Sequence, residues 1–221
     1  GSNHISTFST QIEKINSKTR LDDVILDLQS PKLTSISIGL NHLQLFENTT
    51  FATDFRYEQG RNKGENQPED LFSRWNFELK FNRYQSIGEQ LFRHSHQLTA
   101  QYSHDYLPSI KQEDLTGRYR VRGLNDLSLS AEKNIVLHND IAWVKATELG
   151  TFLPYVGIDF GVQKSTQANA QREQAFAYAV GLNWEQKTFQ ANLEWATGRL
   201  FSKTDGVKQE RLVLGSISYK F

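Results

Sequence analysis

"AFAYAVGLNWE", residues 175–185, decides the fold. Phe176, Tyr178, Val180, Leu182 and Trp184 fall on one side of an extended chain, and Ala175, Ala177, Ala179, Gly181, Asn183 and Glu185 on the other. A repeat of two is the signature of a strand; a helix would mix both sets on every face. The second face is small or hydrogen-bonding rather than densely charged, and the large face ends in tryptophan. A soluble sandwich also alternates, with its apolar face on a second sheet and its polar face in water. A transmembrane barrel instead turns the large residues to lipid, the small and polar ones to the lumen, and aromatics to the interfaces. Length separates the two: runs of about ten residues exceed the five or six usual in soluble sheets.

The same alternation extends in both directions. Pro154, Val156, Ile158, Phe160 and Val162 oppose Tyr155, Gly157, Asp159, Gly161 and Gln163. Phe189, Ala191, Leu193 and Trp195 oppose Gln190, Asn192 and Glu194, and Val213, Gly215, Ile217, Tyr219 and Phe221 oppose Ser216, Ser218 and Lys220. Earlier in the chain, Trp75, Phe77, Leu79 and Phe81 alternate with Asn76, Glu78, Lys80 and Asn82, and Phe51, Thr53, Phe55 and Tyr57 with Ala52, Asp54, Arg56 and Glu58. Leu98, Ala100 and Tyr102 oppose Gln97, Thr99, Gln101 and Ser103; Ile36, Ile38 and Leu40 share a face, and residues 4–15 are read as one more strand. Connections near 47–49, 87–90 and 186–188 are tight, whereas 16–32, 60–72, 106–133 and 201–208 are long. Short turns on one rim and long loops on the other are the asymmetry of outer-membrane barrels. The count is about ten strands, five on each side of an arginine-bearing loop, so the last ends on the short-turn side, normally the periplasmic one. The expectation is an all-β, transmembrane antiparallel barrel forming one domain over residues 1–221.

Composition narrows the alternatives. Lys plus Arg and Asp plus Glu each number 25, and a net charge of zero speaks against nucleic-acid binding through counterion release. Without cysteine there is no disulfide framework and no thiolate metal site. No apolar run approaches the ~20 residues of a spanning helix, and no signal peptide is visible. The leading Gly-Ser is set aside as a possible cloning remnant. Aromatics make up 12% of the chain while its mean hydropathy is −0.57, a pairing that alternating strands explain.

Between the two sets of strands stands "GRYRVRGL", residues 117–124. With the following "NDLSLSAEKNIVLHNDIAW" it resembles the sixth-loop region of the outer-membrane transporters of two-partner secretion, the hemolysin-activator and filamentous-haemagglutinin transporter family of the Omp85 superfamily. Val121, Arg122 and Gly123 match the family's Val-Arg-Gly-aromatic motif, with Leu124 in place of the aromatic. "LPYVGIDFGV" supplies the second signature, Asp159 followed by Gly161, with Gly157 replacing a frequent aromatic. "LVLGSISYKF" resembles the signal read by the barrel-assembly machinery, with Tyr219 and Phe221 in place and its glycine one position off the usual pattern.

The resemblance implies a pore that passes a partner exoprotein from periplasm to cell surface, with the loop folded into the lumen and Arg122 paired with Asp159. It implies sixteen-stranded barrels preceded by POTRA modules and often a plug helix. This chain shows neither the modules nor enough strands, so it is expected to begin near the seventh strand, as a truncated or shortened barrel. Without POTRA modules it is expected not to recruit a client. The residues suit the pairing: Asp159 shares its parity with Gly157 and Gly161, which leave room for an approaching side chain, and arginine's planar fork fits a carboxylate. Asp54, Arg56, Asn76, Glu78, Gln101, Ser103, Asn183 and Glu194 are expected to line a wet path.

Other candidates weaken on inspection. His94 and His96 share one face, with His104 beyond, but no convergent carboxylate accompanies them, so no metal is expected. The adjacent acids Asp22–Asp23 and Glu69–Asp70 read as solvated loop rather than a catalytic pair. The sequon at Asn48 falls in a tight turn. With no serine elbow and no nucleotide-binding loop, neither an enzyme nor a hydrolytic motor is read, and no cofactor is expected. The expected partners are the exoprotein, outer-membrane lipid and the assembly machinery, with no nucleic acid. A generic outer-membrane porin or adhesin and a soluble β-sandwich binding module remain open.

Overall fold

Period-two alternation is realised as ten long strands: β1 (Asn3–Asn16), β2 (Lys32–Leu45), β3 (Thr49–Lys63), β4 (Glu69–Ile87), β5 (Gln90–Tyr102), β6 (Lys133–Thr147), β7 (Gly150–Lys164), β8 (Arg172–Gln186), β9 (Phe189–Ser202) and β10 (Gly206–Tyr219). The structure, a computed structural model, describes residues 3–16, 20–21, 24–25, 32–63, 69–124, 129–203 and 206–220. All ten strands form one sheet in sequence order, each antiparallel to the next, from β1 at one edge to β10 at the other. Long antiparallel strands joined in sequence order are the architecture of a transmembrane barrel wall.

Strands of 13 to 19 residues outrun the apolar stripes that announce them. Of residues 60–72, expected as a long loop, 60–63 and 69–72 are strand. There Arg61 faces Leu71, Asn62 faces Asp70 and Lys63 faces Glu69 in register. Backbone hydrogen bonding continues a ladder wherever a partner strand is present, whatever the polarity of its side chains, so the sheet extends past its apolar band. Tight connections join β2 to β3, β4 to β5, β6 to β7 and β8 to β9, as the short-turn rim requires.

Burial is inverted relative to a water-soluble sheet. On β8 the small residues Ala175, Ala177 and Ala179 are covered by protein, while Phe176, Tyr178 and Val180 are not. On β7 Asp159 is 0% exposed and its neighbours Ile158 and Phe160 are 55% and 43% exposed. A β-sandwich would cover the large face with a second sheet. Among the described residues the only cover lies on the other face, so the soluble-sandwich alternative is set aside. That cover is the segment between β5 and β6. It carries a 3-10 turn, Ser109–Lys111, and a two-residue pairing of Glu113–Asp114 with Ser130–Ala131.

Candidate functional site

The seat for this segment is written into the small residues of β6 to β9. Register aligns Asp140, Gly157, Ala179 and Ala196 in one row, His138, Asp159, Ala177 and Gly198 in the next, and Val136, Gly161, Ala175 and Leu200 in a third. Rows of glycine and alanine leave a depression on the loop-bearing face. Leu115, Val121 and Leu124 fill it, packing with Val136, Ala175, Ala177 and Leu200, all at most 1% exposed. A side chain on Gly161 would collide with Leu115 and Val121, and one on Gly157 would occupy the space of the Arg122 guanidinium.

The turn is tight. Gly117 N–H donates to Val121 O at 3.2 Å, Arg120 N–H to Gly117 O at 3.1 Å, and Leu115 N–H to Leu129 O at 2.8 Å. Gly123, at φ +72°, lies against the backbone of Thr197 and Gly198, where a Cβ would meet Gly198 N at 2.7 Å. Both facts demand glycine there.

Arg122 is buried at the centre. Its Nε donates to Asp159 Oδ2 at 2.7 Å and its Nη2 to Asp159 Oδ1 at 2.8 Å, the two-pronged contact a planar fork makes with a carboxylate. Its backbone N–H donates to the same Oδ2 at 3.1 Å. Nη1 reaches Glu194 Oε2 on β9 at 3.0 Å, and Nη2 reaches Asp140 Oδ1 on β6 at 2.9 Å. His138 sits between two of these acids, Nδ1 3.0 Å from Asp159 Oδ1 and Nε2 3.3 Å from Asp140 Oδ2. Both ring nitrogens face a carboxylate, an arrangement satisfied fully only by the doubly protonated ring. Burial alone would weaken the charged form of Arg122; the Asp159 hydrogen bonds and the three nearby acids outweigh it and raise its pKa further.

Of this cluster, the sequence points only to Arg122 with Asp159. Glu194, expected as wet lining, is 7% exposed and holds both Arg122 and Tyr155, whose hydroxyl donates to its Oε2 at 2.7 Å. Gly181 lies between them in register, and its missing side chain lets the tyrosine cross the β8 strand. Ser103, 1% exposed, is likewise under the segment rather than beside an open path, and Gln101, 3% exposed, is covered by the segment yet borders the same cavity as Asp54. Asp140 and His138 stand in the quoted stretch after the loop, where their inward parity with Val136 is the one available signal. Asp54, Asn76 and Glu78 do line a cavity of about 170 Å³ together with Arg120.

The remaining candidates disperse. His96 Nδ1 lies 2.8 Å from Asn139 Oδ1, and His94 and His96 share the opposite face with Leu98 and Tyr102. His104 contacts the Tyr102 hydroxyl at 2.8 Å and Glu69 pairs with Arg61 at 3.3 Å. Tyr219 faces Phe189 on the uncovered side. Asp22, Asp23 and Phe221 lie outside the described residues.

A family model described as "Haemolysin secretion/activation protein ShlB/FhaC/HecB" matches residues 1–184. The hemolysin transporter protein HpmB of Proteus mirabilis is 28% identical over 98% of this chain and 41% of its own length. The outer membrane transporter CdiB of Escherichia coli is 32% identical over 62% of this chain and 24% of its own. Among solved structures, CdiB from Acinetobacter baumannii superposes with a TM-score of 0.78 at 20% identity, covering 98% of this chain and 39% of that one. The chain thus spans less than half the length of the relatives it matches.

Proposed function

The chain belongs to the haemolysin secretion/activation family ShlB/FhaC/HecB, and on that premise we propose that it forms part of the barrel of an outer-membrane transporter that passes a partner exoprotein from periplasm to cell surface. Residues 1–221 contribute a single barrel domain. The segment around Val121, Arg122 and Gly123 lies inside the barrel, held by Asp159 beside Gly161. The uncovered stripes of β6 to β10 contact outer-membrane lipid, and Tyr219 with Phe221 is read by the assembly machinery.

The observation that carries this reading is the burial of one arginine from a loop among carboxylates from three separate strands. Desolvating both partners of an ion pair offsets much of their attraction, so such a pair specifies position more than it adds stability. A position-specifying pin suits a loop that occupies a conduit: it must sit in one place at rest and leave by an all-or-none break. Polar residues beyond the loop (Asp54, Asn76, Glu78, Asn183) give the passing chain little apolar surface to adhere to.

The test is export. In Gram-negative cells producing the full transporter with its exoprotein, Arg122→Ala and Asp159→Ala each remove most of the exoprotein from the surface and medium while the barrel still assembles. Undiminished export by both variants overturns the reading.

A further inference from the structure

The segment after β5 is attached to the sheet twice, and the first attachment shares no residue with the Arg122 cluster. Leaving β5, Ser103 Oγ donates to Ser73 O at 2.7 Å and Asp105 Oδ2 accepts from Ser73 N–H at 2.7 Å. Leu107 is then fully buried against Leu33 and Phe72. The turn at Ser109–Lys111 aims Lys111 back at the sheet. Its Nζ lies 2.6 Å from Glu13 Oε2 on β1 and 2.7 Å from Glu58 Oε1 on β3. Arg74 on β4 completes the cluster: Nη2 is 2.7 Å from Glu58 Oε2, and Nη1 donates to Lys111 O at 2.6 Å and Gln101 Oε1 at 2.9 Å.

Two cations face two carboxylates, so the cluster is neutral without outside ions. The Lys111 side chain is 6% exposed and that of Glu58 4%. A lysine is buried this deeply only when paired, because removing its ammonium from water is otherwise too costly. The strands touched here are β1 to β5; the acidic partners of Arg122 lie on β6, β7 and β9. The ion pairs of Lys111 therefore fasten the segment to the first half of the sheet and those of Arg122 fasten it to the second half.

We propose that Lys111 is a second positioning residue of this loop, one that anchors its descending limb independently of Arg122. A loop released at Arg122 stays tethered at Lys111 and swings about residues 108–116 instead of leaving its place altogether. The proposal concerns how the loop is held, and it rests on the functional reading above only for its consequence in transport.

The cysteine-free chain makes the test direct. In the full protein, folded in phospholipid bilayers, spin labels are placed singly at Ile110→Cys and at Tyr119→Cys, two positions 53% and 71% exposed. Lys111→Met is expected to mobilise the label at 110 several-fold and leave that at 119 ordered, and Arg122→Met to do the reverse. Lys111→Arg, able to face the same two carboxylates, restores order at 110. The proposal is overturned if Lys111→Met leaves the label at 110 immobile, or frees the label at 119 as fully as Arg122→Met does. Where Lys111→Met alone fails to give the heat-modifiable folded form, Lys111→Met with Glu58→Gln removes both members of the ion pair, and the same two outcomes are read from it. Spectra are independent of export, so unchanged export in both Arg122→Ala and Asp159→Ala would sink the transport reading without touching this result.

Discussion

Arg122 is one cation shared among Asp159, Asp140 and Glu194, and that ratio governs its substitutions. Arg122→Ala strands buried carboxylates, for which the expected loss is about 3–5 kcal/mol, read as a lower urea midpoint for the heat-modifiable form in lipid. Exchanging the charges, Arg122→Asp with Asp159→Arg, is expected not to restore the loop's position. An aspartate at 122 would meet Asp140 and Glu194, so order at a Tyr119→Cys label should stay low. Gly157 supplies a steric version of the same experiment. Its side chain would take the guanidinium's place, and Gly157→Val is expected to cost about 1–3 kcal/mol by overpacking and to free the same label. Gly215→Val is the control, because a Cβ there has only Asn192 O at 3.9 Å.

At the scale of strands, two faces of one sheet obey different solvents. On β7, Ile158 is 55% exposed by protein alone and lies between Val156 and Phe160 in an apolar stripe. Ile158→Arg is expected to destabilise the assembled barrel by about 2–4 kcal/mol, the cost of a cation near the middle of the lipid face, checked by the same urea titration. The opposite face of β7 to β9 is legible in the sequence as small, and smallness there suggests room in a lumen. In the folded sheet those residues have a more particular role, because Gly157, Gly161, Ala175 and Ala177 form the hollow into which Leu115, Val121 and Arg122 fit. Smallness is visible locally, whereas what fills the space depends on a segment folded back from dozens of residues away.

For the whole molecule, the loop stands where an ordinary core would be. Among the described residues the sheet has no second layer; two of its buried apolar clusters form where residues of the β5–β6 segment meet the sheet, and a third, Ala142 with Leu153 and Tyr155, lies between strands. Thiol accessibility should map this arrangement. In lipid, Val180→Cys and Ile158→Cys are expected to resist a water-soluble maleimide, and Asn183→Cys and Ser218→Cys on the loop-bearing face to react. Labelling of both sets alike would mean that the apolar stripes do not face lipid.

The sequence by itself determined the presence of the strands, their two faces and the place of the arginine-bearing segment between them, since alternation is a property of adjacent residues and "GRYRVRGL" stands out against it. Only tertiary structure decided which residues surround Arg122 and that Lys111 has a cluster of its own. Lys111 and Glu13 are 98 positions apart, and Arg122 and Glu194 are 72 apart. No local pattern encodes such pairs. They are set by the register of the successive strand pairings between them, and a slip of one residue in any of those would turn the partner to the other face.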